Sequence, residues 1–411
     1  MGYFKIDFII AAIVVLIGGY CILSSKHENR PLKLLSFFLV AYMFEYIEKS
    51  ILVWAAEMLL IFSLIRLRKI VLTDCRWYVW FFLFACVSLS YSEEPVRGVP
   101  GLFMYVMPLF YYSLATVAIK SVSDVSKLFR YISNITLLLL VLGLPFYSHR
   151  MAYPYYGMAI CSIPAFLYLT TKKKKYILQF IICILPAMFW VKRTPLLGIA
   201  VGMMVFSILL YRWKALIPTI IALFVGITLI VSIPQFKEKM SHGDGHESEL
   251  DDSDYSVDQI NTNGRTAFWM LMVNKYYKPH PLFGVGHGTV KAFLQSDQNE
   301  FKKEFPLMHN DWLLLLCEIG IVGTSILLLF FLDIIRKCIK YSSKTYSKEL
   351  RLISAVCAAS VTSTMAHMFF ENCMNSFVLS TCLVFCAIFN YYIRSYKSDK
   401  IQAQEPVPCV K

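Results

Sequence analysis

Residues 311–332 read DWLLLLCEIGIVGTSILLLFFL, an almost unbroken apolar run with Asp311 at its head and Glu318 inside it. A helix rising about 1.5 Å per residue needs about 20 mostly apolar residues to cross about 30 Å of hydrocarbon, and this stretch has that length. Runs of the same kind recur near 7–24, 33–46, 50–65, 76–91, 100–119, 131–147, 154–170, 176–191, 195–211, 215–233, 351–370 and 375–393. Several are short, so their helices must extend into flanking polar residues. The runs 33–46 and 50–65 can also be read as one span plus an interfacial piece, which gives 12 or 13 spanning helices.

The composition agrees. Of 411 residues, 57% are apolar and 16% charged, with a mean hydropathy of +0.58. A soluble domain has about 45–50% and about 25% respectively. The chain therefore reads as an all-α polytopic integral membrane protein, which excludes a soluble enzyme and a disordered chain. The net charge of +13 argues for no nucleic-acid partner, because a basic surplus in a membrane protein sits in cytoplasmic loops and sets orientation. The twelve cysteines fall mostly inside apolar runs and form no C-x-x-C pair, so they read as small buried hydrophobes.

Lysine and arginine mark alternate loops. Arg66, Arg68, Lys69 and Arg76 lie in one, Lys120, Lys127 and Arg130 in the next, then Lys172 to Lys175, then Arg212 and Lys214. A fifth holds Arg336, Lys337, Lys340, Lys344, Lys348 and Arg351, and the tail after Arg394 is basic too. The positive-inside rule puts these loops and the C-terminus in the cytoplasm. The N-terminus stays open: Lys26, Arg30 and Lys33 suggest a cytoplasmic first loop, but merging the second and third runs reverses this. The first run lacks an A-x-A-like cleavage site and reads as a retained helix.

One long loop, 234–310, then lies outside the cytoplasm, dividing the chain into an N-terminal bundle (1–233), a loop domain (234–310) and C-terminal helices with a tail (311–411). It carries eight Lys/Arg and eleven Asp/Glu, and five of the eight histidines: His242, His246, His280, His287 and His309. Its first part, SHGDGHESELDDSDYSVD (241–258), reads as a flexible acidic lid and fits no closed metal motif. Thr266 to Tyr277 predicts an amphipathic helix with Phe268, Met272 and Tyr276 on one face, stopped by Pro279 and Pro281. Gly284, Gly286 and Gly288 then form a turn, which is no dinucleotide fingerprint because no strand–turn–helix unit surrounds it. His309 stands at the outer mouth of the next helix, Asn310 and Asp311 can cap it, and Gly320 and Gly323 lie about three turns deeper.

These residues give the chain a family resemblance. His309-Asn310, nine residues, then Gly320-Ile-Val-Gly323 resembles the H-N-x9-G-x-x-G signature of the O-antigen ligase and polymerase superfamily, with its WaaL-type ligases and Wzy-type polymerases. Asn263-Gly-Arg265 through Trp269 to His280-Pro-Leu-Phe-Gly-Val-Gly286 is similar to a second stretch of that family, and Lys192-Arg193-Thr194 to its arginine–threonine motif. The resemblance implies a GT-C-like, metal-independent, inverting glycosyltransferase of the inner membrane, working at the periplasmic face without a cofactor. Its donor would be an oligosaccharide on undecaprenyl pyrophosphate, its acceptor a glycan or lipid-linked sugar hydroxyl, its surroundings membrane lipids and polysaccharide assembly proteins.

The residue chemistry agrees. A pyrophosphate leaving group calls for guanidinium forks, and an acceptor hydroxyl calls for a base with a pKa near ambient pH. His309 is then the general base, Arg193 and Arg265 the pyrophosphate ligands, and Arg150 a further candidate. Arg193 and Arg150 can equally snorkel to lipid headgroups. His367 and Glu371 sit four apart and read as a supporting pair on one helical face, with Asn310 beside them. His280, His287 and Lys278 read as loop surface or as the lining of an acceptor path. Polymerase and ligase share every one of these residues and differ only in acceptor; the polymerase is the reading adopted. A transporter or flippase would carry internal repeats and midplane breaks, and no repeat is present. A scaffold of the assembly complex would use none of the site residues.

Overall fold

The computed structural model describes residues 72–143, 153–189, 192–212, 265–296, 305–374 and 377–404, with parts of 16–41 and the single positions 214, 217 and 299. Among them are α1 (Arg30–Ala41), α2 (Arg76–Ser88), α3 (Pro95–Ala118), α4 (Val122–Gly143), α5 (Tyr153–Ile160), α6 (Ser162–Thr171), α7 (Lys175–Phe189) and α8 (Arg193–Tyr211). After the long loop's first part come α9 (Arg265–Met272), α10 (Thr289–Gln295), α11 (Asp311–Tyr341), α12 (Lys348–His367) and α13 (Phe377–Gln404). No strand occurs among the described residues, and the chain is an all-α polytopic membrane protein.

Four described helices are long and apolar enough to span on their own: α3, α8, α11 and the 378–398 part of α13. The apolar runs 50–65 and 215–233 lie almost wholly outside the described residues, as does acidic segment 241–258. In run 154–170, α5 and α6 meet at Cys161, whose backbone stays helical (φ −55°, ψ −26°). Pro164 has no N–H for the carbonyl of Ile160, so one rung of the helical ladder is missing there. By contrast, α11 and α13 continue beyond runs 311–332 and 375–393 into their basic ends.

Small residues and a few polar contacts join the bundle, since lipid supplies no hydrophobic drive for helix association. α8 packs along α12. Gly198 and Gly202 of α8 make this approach possible: a Cβ at Gly202 would lie 2.9 Å from the Ala359 carbonyl oxygen, and one at Gly198 3.0 Å from Ser363 Oγ. Tyr78 Oη donates to the Tyr105 carbonyl at 3.0 Å, and Asn390 Nδ2 to Tyr112 Oη at 3.0 Å, tying α2 to α3 and α13 to α3. Cys338, Cys357, Cys382 and Cys386 meet where α11, α12 and α13 converge, all fully buried.

The α11 span is broken at Gly320, whose φ of 64° and ψ of −172° lie outside any helix. A break in mid-bundle frees carbonyls before it and N–H groups after it, which must find other partners. The glycine-rich turn supplies them. Val285 N–H donates to the Cys317 carbonyl at 3.0 Å and Gly286 N–H to that of Glu318 at 2.8 Å. In return Ile321 N–H donates to the Pro281 carbonyl at 2.9 Å and Val322 N–H to that of Leu282 at 3.1 Å. The turn is wedged between α11 and the start of α3, where a Cβ on Gly286 would meet Ser92 and one on Gly288 would meet Gly98. Replacing Gly320 by alanine puts a Cβ 2.3 Å from the Leu282 carbonyl oxygen at a left-handed φ. That change should cost at least about 1–3 kcal/mol, seen as a lower unfolding midpoint of the detergent-solubilised protein; an unchanged midpoint would mean that the break is dispensable.

Candidate functional site

The second half of the long loop docks on the start of α11. Phe268, Met272 and Tyr276 fall on one buried face, as their spacing predicts, although the last turn, Val273–Tyr277, is a π-helix rather than α. They pack with Val290, Leu294, Phe305, Met308, Leu313, Leu314 and Cys317. Trp269 Nε1 donates to the Met308 carbonyl at 2.9 Å, which fixes the chain one residue before His309. On the other side Asn310 is the N-cap of α11, its side chain accepting from Leu313 N–H at 3.0 Å. Between these two anchors His309 has φ 49°, a left-handed conformation that a non-glycine residue holds only where its surroundings impose it.

That conformation turns the imidazole onto Glu371. His309 Nδ1 lies 3.0 Å from Glu371 Oε2, and Tyr155 Oη donates to Glu371 Oε1 at 3.3 Å. An ionised carboxylate only accepts, so Nδ1 is the donor in this contact, and in the neutral imidazole that tautomer puts the lone pair on Nε2. The side chains of His309 and Glu371 are 24% and 19% exposed, so the pair is held yet reachable. Burial pushes the Glu371 carboxyl up, but the hydrogen bond from His309 and the charges of His309, His367 and Arg265 outweigh it. The group is held below its ordinary value.

Glu371 does not continue α12 to share a helical face with His367, which corrects the sequence expectation. The helix ends at His367, the chain turns through 368–370, and the carboxylate swings to His309. Asp311, the other capping candidate, is not a cap: it is buried, and Oδ2 accepts Met374 N–H at 2.8 Å while its own N–H donates to the Met368 carbonyl at 2.8 Å. These bonds lash the 368–374 turn, and with it Glu371, to the head of α11.

His367 is buried, its ring 5.2 Å from that of Tyr155, with Nδ1 lacking a hydrogen-bond partner among the described residues. The backbone of Thr194 bonds to it, which brings the first turn of α8 to the same end of the bundle. Arg193 is exposed there and makes no ion pair among the described residues. Half-buried Arg265 Nη1 donates to the Phe370 carbonyl at 3.4 Å, placing its charge beside Glu371. Arg150 lies outside the described residues.

His280 and Lys278 are exposed, whereas His287 is not loop surface at all. It is 3% exposed, its ring 4.8 Å from Tyr105, with Nδ1 2.7 Å from Glu318 Oε2 though outside hydrogen-bond geometry. The glycine turn carries it inward between α3 and α11, so it serves docking rather than an open path. Tyr155 was missed because it stands inside an apolar run; the signal was a tyrosine at that run's polar end, where a hydroxyl needs a partner.

Fold and site together define a helical membrane protein with a histidine–carboxylate pair and cationic side chains gathered at one end of the bundle. Residues 180–328 match the O-antigen ligase family (Wzy_C), a stretch that holds Arg193, Arg265, His309 and Gly320. That match supports the O-antigen ligase and polymerase superfamily over this stretch of the chain. A comparison with curated proteins finds no match to the chain.

Because the Glu371 value is lower in the folded protein, its ionised form stabilises the fold above the unfolded value of about 4.3, and that stability drains away as pH falls through the folded value. Wild-type protein should therefore melt above Glu371→Gln at neutral pH, with the gap closing as pH falls through the lowered folded value. A gap that stays constant with pH would show the carboxylate to be unengaged.

Proposed function

We propose that the protein is an O-antigen-type polysaccharide polymerase, moving a glycan from undecaprenyl pyrophosphate to an acceptor sugar hydroxyl at the periplasmic face of the inner membrane. The observation that carries this reading is the 3.0 Å contact of His309 Nδ1 with Glu371, which leaves Nε2 as a base. His309 Nε2 takes the acceptor hydroxyl proton as that oxygen attacks the anomeric carbon. The bond from the anomeric carbon to the pyrophosphate oxygen breaks on the opposite face, so the configuration inverts. Glu371 steadies the imidazolium, as the buried carboxylate does in hydrolase triads. Arg265 and Arg193 take up the charge that develops on the leaving pyrophosphate, with Arg150 as a further ligand.

Orientation follows from charge. The end of the bundle opposite His309 gathers Lys120, Lys172 to Lys175, Lys340 and Arg394, and the positive-inside rule makes it cytoplasmic. A ligase would share every step and differ only in taking lipid A core as acceptor. Purified protein given a defined undecaprenyl-pyrophosphate oligosaccharide, with a second lipid-linked repeat and lipid A core as rival acceptors, separates the two. We expect elongation of the repeat, at a rate that chelator leaves unchanged. Transfer to lipid A core alone would make it a ligase, and loss of transfer in chelator would overturn the metal-independent mechanism.

A further inference from the structure

The end opposite His309 holds a cavity of about 420 Å³ between the last turns of α11 and the 390–397 stretch of α13. Five cations face it: Arg336, Lys337 and Lys340 from α11, Arg394 and Lys397 from α13. Two acids answer them. Asp333 pairs with Lys337 at 2.7 Å, and Asp74, ahead of α2, with Arg394 at 3.5 Å. Arg336, Lys340 and Lys397 have no carboxylate partner among the described residues. All three are exposed, yet they line one concavity from two helices, where an anion would be favoured by several like charges at once.

The neighbouring surface says which kind of anion. Leu332, Arg336 and Lys340 follow at four-residue intervals, so one face of α11 changes from apolar to cationic along its length. Leu329 and Leu332 are 43% and 48% exposed, and Leu328 and Ile339 widen the apolar strip beside the cationic face. An anionic headgroup at the foot of an exposed apolar stripe matches the build of a phospholipid.

We propose that this cavity binds the phosphate headgroup of an anionic phospholipid, with the acyl chains lying along the Leu328–Leu332 side of α11. The site is separate from the His309 end and does not depend on the glycan-transfer reading. Native mass spectrometry of the full-length protein, titrated with phosphatidylglycerol against a phosphatidylcholine background, tests it. The double variant R336Q/K340Q should weaken phosphatidylglycerol retention about tenfold, and K397Q should do so to a smaller degree. The control K344Q/K348Q removes two cations that lie outside the cavity and should change retention less than about twofold. Equal weakening in the control would mean diffuse surface charge, and undiminished retention in both R336Q/K340Q and K397Q would overturn the site. Should R336Q/K340Q fail to fold, K397Q alone carries the comparison. Inorganic phosphate supplies the second arm: if it displaces phosphatidylglycerol completely at millimolar concentration, the ligand is a soluble phosphate and the lipid assignment fails.

Discussion

A spanning helix that stops being a helix at Gly320 is the constraint on which the rest depends. Within a bilayer a broken backbone is tolerated only where protein satisfies the freed groups. Here the satisfying partner is the turn 281–286, which donates two N–H groups and accepts two in return. The broken span therefore cannot form without the long loop, and the loop has a single register in which to dock. That register puts the loop's apolar face on the head of α11 and the Trp269 indole on the Met308 carbonyl. The left-handed backbone of His309 follows from the same docking. The glycines that the family signature and the glycine-rich turn place apart in sequence are the two halves of one joint.

Much of this was legible in the chain. Apolar length marks the spans because hydrocarbon thickness is a fixed ruler, and α2, α3, α8 and α11 begin within about five residues of their runs. Loop cations separate the two ends of the bundle for an equally simple reason. The break was not legible. A glycine inside an apolar run reads as a close-packing contact, and its φ depends on a partner about 35 residues earlier. His287 was read as loop surface for the same reason, because nothing local says that a glycine turn will carry it between two helices.

The residues of the candidate site stand out in the sequence, but their pairing does not. His309 and Glu371 are polar residues at the edges of apolar runs, and Arg265 precedes the amphipathic helix of the long loop. Glu371 read as the partner of His367 because their spacing of four fits a helix, yet the helix ends between them and the carboxylate turns to His309. Asp311 explains why: it holds the turn at Met374, so the residues after His367 cannot continue the helix. The molecule is thus polar at both ends in different ways, with a held and half-open histidine–carboxylate pair at one and uncompensated cations at the other.

The central claim is that the His309 imidazole removes the acceptor proton. Chemical rescue tests it most directly. His309→Ala should abolish glycan transfer, and added imidazole should restore part of it, while Arg265→Ala should gain nothing from imidazole. Transfer by His309→Ala at the wild-type rate, with or without imidazole, would contradict the account.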